Sequence, residues 1–238
     1  MSSSDSEHDA QPAAALRVPM TDVTRFVRQL SHDLRNHLNA AELQSAYLNE
    51  IATDGEIKSE LRRLRSMLSE LGRSLQQVSA ALAPVSLTRM PYEASAFFED
   101  LQQKFATQSA QESEAVRWSI NCGSANLNID PQLLQQAFLE LLTNAFQHGR
   151  GGGHIDFVAE TEESEVVCRL REPKAAFEAS TAHWGREPFR GVAHDHYGLG
   201  LHRAFSIIQA HEGRLNARYD PASSSLVTSV VLPIVASE

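Results

Sequence analysis

A chain of 238 residues, 42% hydrophobic and 21% charged, is long enough for one large or two small cores and is not a wholly disordered protein. Its formal net charge of −9, with no dense Lys/Arg stripe, excludes nucleic acid as an expected partner. No apolar run approaches the ~20 residues of a membrane-spanning helix, so no membrane span is expected.

The first residues lack the basic-then-apolar order of a secretion signal. Cys122 and Cys168 have no metal-ligand spacing and read as two reduced, partly buried thiols. The expectation is a cytoplasmic protein.

Residues 1–19 are rich in Ser, Ala and acids and are expected to form a disordered arm. After Pro19, Thr21 or Asp22 is placed to cap a helix. From there Val23, Val27, Leu30, Leu34, His37, Ala41, Gln44, Leu48 and Ile51 make a heptad seam, with polar interruptions at His37 and Gln44. TDGE, residues 53–56, is turn chemistry. A cleaner seam follows through Ile57, Leu61, Leu64, Leu68, Leu71, Leu75, Val78 and Leu82, and stops before Pro84.

Residues 20–84 are thus predicted to be an antiparallel helical hairpin. Its apolar stripe is too wide to cover itself. Pairing two hairpins into a four-helix bundle, as a homodimer, covers it; folding back on the rest of the chain is the alternative.

Residues 85–92 read as a Pro-punctuated linker and residues 93–238 as a second domain. ASAFFEDLQQKFA predicts a helix, AVRWSIN and ANLNI strands, and DPQLLQQAFLELLTNAFQH a helix with Pro131 in its first turn. GRGGG is a break. HIDFVAE and SEVVCRLRE predict paired strands, GLHRAFSIIQAH a helix, and GRLNARYD with SLVTSVVLPI a closing hairpin. The fold class is α+β: a helical hairpin followed by a two-layer α/β sandwich, with helices on one face of a sheet.

The stretch SHDLRNHL places His32 beside Asp33, with Asn36 one helical turn later. Leu30 and Leu34 are inward positions of the seam, so residue 32 is expected to point into solvent. A neutral imidazole is nucleophilic near pH 7. A neighbouring carboxylate can hold the proton of one ring nitrogen and leave the other free to attack a phosphoryl group. An amide one turn away can orient a water for the hydrolytic direction. The competing reading is an ordinary solvated helix face.

FVRQLSHDLRNHLNAAEL resembles the phosphoacceptor box of the two-component sensor histidine kinases, H-[ED]-x-x-[TN]-P-L, through His32, Asp33, Asn36 and Leu38; the proline position holds His37. The resemblance implies that His32 is the phosphoacceptor, Asp33 its acid/base partner and Asn36 the residue that positions water. LQQAFLELLTNAFQHG resembles the family's asparagine box. It implies that Glu140, Asn144 and His148, one helical turn apart, face a triphosphate, with Asn144 as the Mg²⁺ ligand; Gln147 stands where a lysine is usual. REPFRG, residues 186–191, resembles the phenylalanine box, and GLGLHRAF the second glycine box. There Gly198 and Gly200 would let backbone N–H groups approach phosphates. His194 and His196 read as surface of this loop. Together the boxes imply an ATPase-type second domain, Mg-ATP as cofactor and the receiver domain of a response regulator as partner.

One box does not match. Where the family places D-x-G-x-G, whose aspartate hydrogen-bonds the adenine amino group, residues 171–177 read REPKAAF. Losing that bond costs about 1–3 kcal/mol, roughly 10- to 100-fold in affinity. Glu172 is the local substitute for the missing aspartate. Three functions stay open: a histidine kinase carrying phosphate on His32 and exchanging it with a receiver aspartate, a nucleotide-independent histidine phosphotransferase in a phosphorelay, and a non-enzymatic dimeric scaffold that binds a response regulator.

Overall fold

The computed structural model describes residues 19–147, 151–177, 180–186 and 199–235. The chain divides into two compact units, Met1–Ser79 and Ala80–Glu238.

The first unit is built on helices α1 (Met20–Ile51) and α2 (Gly55–Ala81), joined by three residues. α1 starts one residue after Pro19, so Thr21 and Asp22 lie inside the first turn rather than capping it. The Asp22 N–H donates to the Pro19 carbonyl at 3.0 Å, and Pro19 needs no donor of its own at a helix start. Asp54 does cap α2: its carboxylate accepts the N–H groups of Glu56 at 2.7 Å and Ile57 at 3.3 Å.

The hairpin packs on small residues. Ser31 and Ser45 are the buried residues of α1, and the Ser45 hydroxyl lies 3.5 Å from the Leu61 carbonyl of α2. Short side chains let the two helices approach closely, and the leucine seam is displaced to one flank. Phe26, Leu30, Leu34, Tyr47 and Ile51 of α1, with Ile57, Leu64, Met67 and Leu71 of α2, are exposed on this chain. His37 and Gln44, read as seam positions, are exposed too.

The second unit is a sheet with helices on one face. Its elements are β1 (Met90–Glu93), α3 (Ala94–Gln108), the short α4 (Ala110–Ser113), β2 (Val116–Asn121), β3 (Asn126–Ile129), α5 (Pro131–Gln147), β4 (Ile155–Glu162), β5 (Glu165–Pro173), α6 (Gly200–Ala210), β6 (Arg214–Asp220) and β7 (Ser225–Pro233). The main sheet runs β2-β4-β5-β7-β6, with β2 and β4 parallel and the other pairs antiparallel. Along β4 the burial alternates, with Ile155, Phe157 and Ala159 facing inward, the period a half-covered strand requires. Phe97, Phe98, Leu101 and Phe105 of α3, Leu134, Phe138 and Leu142 of α5, and Ile207 and Ile208 of α6 complete the core. Phe98 sits edge-on to Phe138, ring centres 5.5 Å apart. Cys122 and Cys168 are buried free thiols.

The predicted linker is not free chain. Met90–Glu93 pairs antiparallel with β3, and Pro91 is tolerated because this two-stranded ribbon has open edges. Just before it, the Thr88 N–H donates to Asp130 Oδ2 at 2.9 Å, and Arg89 reaches Glu212 at 2.7 Å and the Ala210 carbonyl at 2.6 Å. Asp130 also caps α5 by accepting the Leu133 N–H at 3.1 Å. Burial alone would raise the Asp130 pKa, but the N–H groups of Thr88, Leu133 and Gln132 outweigh it and hold the carboxyl below its usual range. The Asp130 N–H in turn donates to Nε2 of buried His211, whose Nδ1–H donates to the Ile207 carbonyl at 2.8 Å. One polar knot thus joins the 85–92 segment, the start of α5 and the end of α6.

Candidate functional site

On α1, the side chains of His32 and Asp33 are 67% and 54% exposed. The innermost residue of this turn is Ser31, not Leu30 or Leu34. At ~100° per residue His32 therefore leaves from the flank of the hairpin, rather than from the point opposite the seam, and Asp33 and Asn36 lie further round on the outward side. His32 Nδ1 lies 3.2 Å from Asp33 Oδ1, and the Gln29 amide donates to the same oxygen at 3.0 Å. These two bonds, that of His32 first, hold the Asp33 carboxyl below its usual range. With the proton on Nδ1, the ring donates to Asp33 and turns Nε2 away from it. Asn36 is exposed one turn along the helix.

In the sheet domain, α5 and α6 bring Glu140 and Gly200 together. The Glu140 carboxylate occupies the space that a Cβ on Gly200, the first residue of α6, would take, so a larger residue there would have to turn that side chain aside. Asn144, half-buried, follows one turn later on α5, and Gln147 is exposed at its last residue. His148, Gly198, His194, His196 and residues 187–191 of the REPFRG stretch lie outside the described residues.

The end of β5 carries what replaces the D-x-G-x-G box. The Gly151 N–H, four residues past the end of α5, donates to the Pro173 carbonyl at 2.7 Å at this end of β5. Glu172 follows Val166, Cys168 and Leu170 on the inward face of the strand. The side chains of Glu172 and Lys174 are 4% and 5% exposed, with Oε2 and Nζ 3.5 Å apart. Oε2 accepts no hydrogen bond. Burial outweighs the attraction of Lys174 and pushes the Glu172 carboxyl up to about 7. Lys174 Nζ stands 5.6 Å from the centre of the Phe177 ring, which packs on Trp184 and Tyr219.

No protein-family model matches the chain. It is 26% identical over 198 residues to sporulation kinase A of Bacillus subtilis (strain 168), covering 81% of this chain and 32% of that protein. It is 21% identical over 225 residues to the sensor histidine kinase ZraS of Klebsiella oxytoca, covering 94% of this chain and 49% of that protein. Among solved structures, that of full-length ShkA in complex with AMPPNP matches with a TM-score of 0.65 and 17% identity, over 90% of this chain and 46% of that one. The chain is thus similar in sequence and in fold to members of the sensor histidine kinase family. It spans about a third of sporulation kinase A and about half of ZraS.

The second unit has the ATPase-like fold of that family. Among the described residues no helix is long and apolar enough to cross a membrane, and no cluster of three or more His, Cys, Asp or Glu could hold a metal ion. Two groups escaped the motif reading. Gln29 stands four residues before Asp33, a spacing at which an amide reaches a carboxylate on a helix. Lys174 was hidden because its burial depends on Phe177 and on neighbours far along the chain.

Proposed function

We propose that this chain is a two-component signalling protein that carries phosphate on His32 and exchanges it with the aspartate of a response regulator receiver domain. The observation that carries the reading is the exposed His32 ring, held at Nδ1 by Asp33, itself held by Gln29. With Nδ1–H donating to Asp33, the Nε2 lone pair attacks phosphorus. An N–P bond forms, the O–P bond of the aspartyl phosphate breaks, and the carboxylate leaves with the electron pair. Asp33 stabilises the positive charge the ring acquires. Asn36 is the residue assigned to orient water for hydrolysis. Association of two hairpins through their exposed leucine flanks makes the acceptor unit a homodimer.

Whether Mg-ATP fits is a question about two ends of the sheet domain. Asn144 offers an oxygen suited to Mg²⁺, and Gly200 opens the start of α6. At the other end, Glu172 already faces an ammonium, and, counted from Glu172, Lys174 and Ala176 stand where the family has its glycines. The residues do not fit the whole nucleotide. This favours the phosphotransferase reading over the autokinase.

The test offers receiver domains charged with labelled acetyl phosphate to the purified full chain and asks for acid-labile, base-stable label. Label on the wild type and none on His32→Gln is the expected result. Label that survives His32→Gln, or none on the wild type from any receiver, overturns the proposal.

A further inference from the structure

We infer that Lys174 is a built-in ligand of Glu172 that closes the sheet domain to adenine nucleotides, so that the phosphate on His32 is supplied by another phosphoprotein. The second half rests on the phosphotransfer reading of His32; the first does not.

A purine entering this end of the domain needs a carboxylate to accept from its exocyclic amino group and space beside that carboxylate. Glu172 is the one carboxylate on the inward face of β5, in line with Val166, Cys168 and Leu170. Lys174 Nζ lies 3.5 Å from its Oε2, so a donor from the lysine is already where the amino group would have to come.

The lysine does not stand there as a loose surface group. Its side chain is as buried as that of Glu172, and its backbone is fastened on both sides. The Lys174 N–H donates to the Ser224 carbonyl at 2.8 Å, and the Tyr219 hydroxyl lies 3.2 Å from the carbonyls of both Lys174 and Ala175. Phe177 then covers the ammonium, with Trp184 edge-on against its ring at 5.8 Å. The far end of the segment is anchored on α6, where His202 Nδ1 lies 3.0 Å from the Gly185 carbonyl and a Cβ on Gly185 would fall 2.8 Å from the Leu201 carbonyl.

Pro173 lies beside Gly153, and its carbonyl accepts from the Gly151 N–H. Oε2 of Glu172 makes its ion pair with Lys174 and no closer hydrogen bond, and Trp184 Nε1 is buried without one. The raised pKa of Glu172 agrees that water is excluded. A nucleotide would have to expel the ammonium and lift Phe177 before its base could reach the carboxylate. With that route closed, the phosphoryl donor consistent with an exposed histidine acceptor is an aspartyl phosphate.

Lys174→Gly removes the internal ligand and keeps Glu172. The full chain is titrated with a fluorescent ADP analogue and Mg²⁺ at pH 8. The wild type is expected to show no saturable binding below 1 mM, Lys174→Gly at least a tenfold gain, and Lys174→Gly with Glu172→Ala the loss of that gain. Saturable binding by the wild type below 100 µM overturns the inference, as does a Lys174→Gly variant with the native circular dichroism spectrum that binds no better than the wild type. If Lys174→Gly does not fold, Lys174→Ser is read by the same two outcomes. Label on His32 from charged receivers reports separately: its absence in a wild type that refuses nucleotide defeats the phosphotransfer reading while the lock stands.

Discussion

On α1 of the hairpin the buried residues are two serines, while Phe26, Leu43 and Tyr47 lie more than half exposed; in the sheet domain Phe97, Phe98, Phe105 and Phe138 are all but inaccessible. The charged pairs follow the same division. His32 and Asp33 meet in water, whereas Glu172 and Lys174 meet inside the fold. An exposed pair costs little to form and little to break, so its members stay free to react. A buried pair is expensive to separate, so it fixes structure instead. The hairpin leaves apolar surface and a charged pair exposed, while the sheet domain has used both on itself.

The sharpest way to break this comparison is at the hairpin flank. If the proposed pairing of hairpins holds, Leu30→Glu with Leu34→Glu should convert that dimer to monomer and cost α1 and α2 most of their helicity, read by sedimentation and circular dichroism. The sheet domain should unfold at an unchanged denaturant midpoint. Helices that remain fully formed in a monomer would count against the division.

Next in size is Glu172→Ala, which removes the buried carboxylate that faces the Lys174 ammonium. It should destabilise the sheet domain by about 3–5 kcal/mol in urea. Asp33→Ala should leave the midpoint where it is, because that carboxylate is already in water.

Protons separate the two kinds of site further. Glu172 binds its proton more tightly folded than unfolded, with a pKa of about 7 against 4.5. Its contribution is therefore full below 4.5 and is lost as pH rises to about 7, roughly 3 kcal/mol in all. Buried His211 has the opposite sign. Burial holds its pKa below 6.5, so its contribution is present above 6.5 and is lost as pH falls through the folded value. Glu172→Gln in the Lys174→Met background should remove the loss on the alkaline side and leave the acid-side loss of His211, measured by denaturation from pH 4.5 to 8.

Smaller effects test single contacts. Gly200→Ala drives a methyl toward the Glu140 carboxylate, whose flexible end can turn aside, and should cost about 1 kcal/mol, most of it recovered when Glu140→Ala is added. Gln29→Ala releases one of the two bonds to Asp33. It should slow phosphotransfer to His32 by no more than a few-fold, with no change in stability; a loss as large as that of His32→Gln would make Gln29 itself a reacting group.

Much of this was legible because it is local. The helix start at Asp130-Pro131 is written in two residues, since a carboxylate accepts N–H groups where proline needs none. The paired strands around Cys168 follow from the alternation Val166, Cys168, Leu170. The motif around His32 fixed which residues share a helical turn. Less local features are not legible in this way. RMPYE shows no alternation and contains a proline, so the pattern predicts linker there; β1 forms because it pairs with a strand more than thirty residues away. The leucine seam had to serve two surfaces at once, and it concealed that Ser31 and Ser45 are the residues on which the hairpin packs.

By itself the sequence determined the helix spans, the strand faces and the chemical types brought together at His32, Asp33 and Asn36, because periodicity and capping act within one or two turns of chain. Only the tertiary structure decided that Glu172 and Lys174 meet in the dry interior while His32 and Asp33 meet in water. Both are oppositely charged or chargeable pairs one or two residues apart in the chain; what distinguishes them is the packing brought from Phe177, Tyr219 and Ser224, and no short window of sequence contains it.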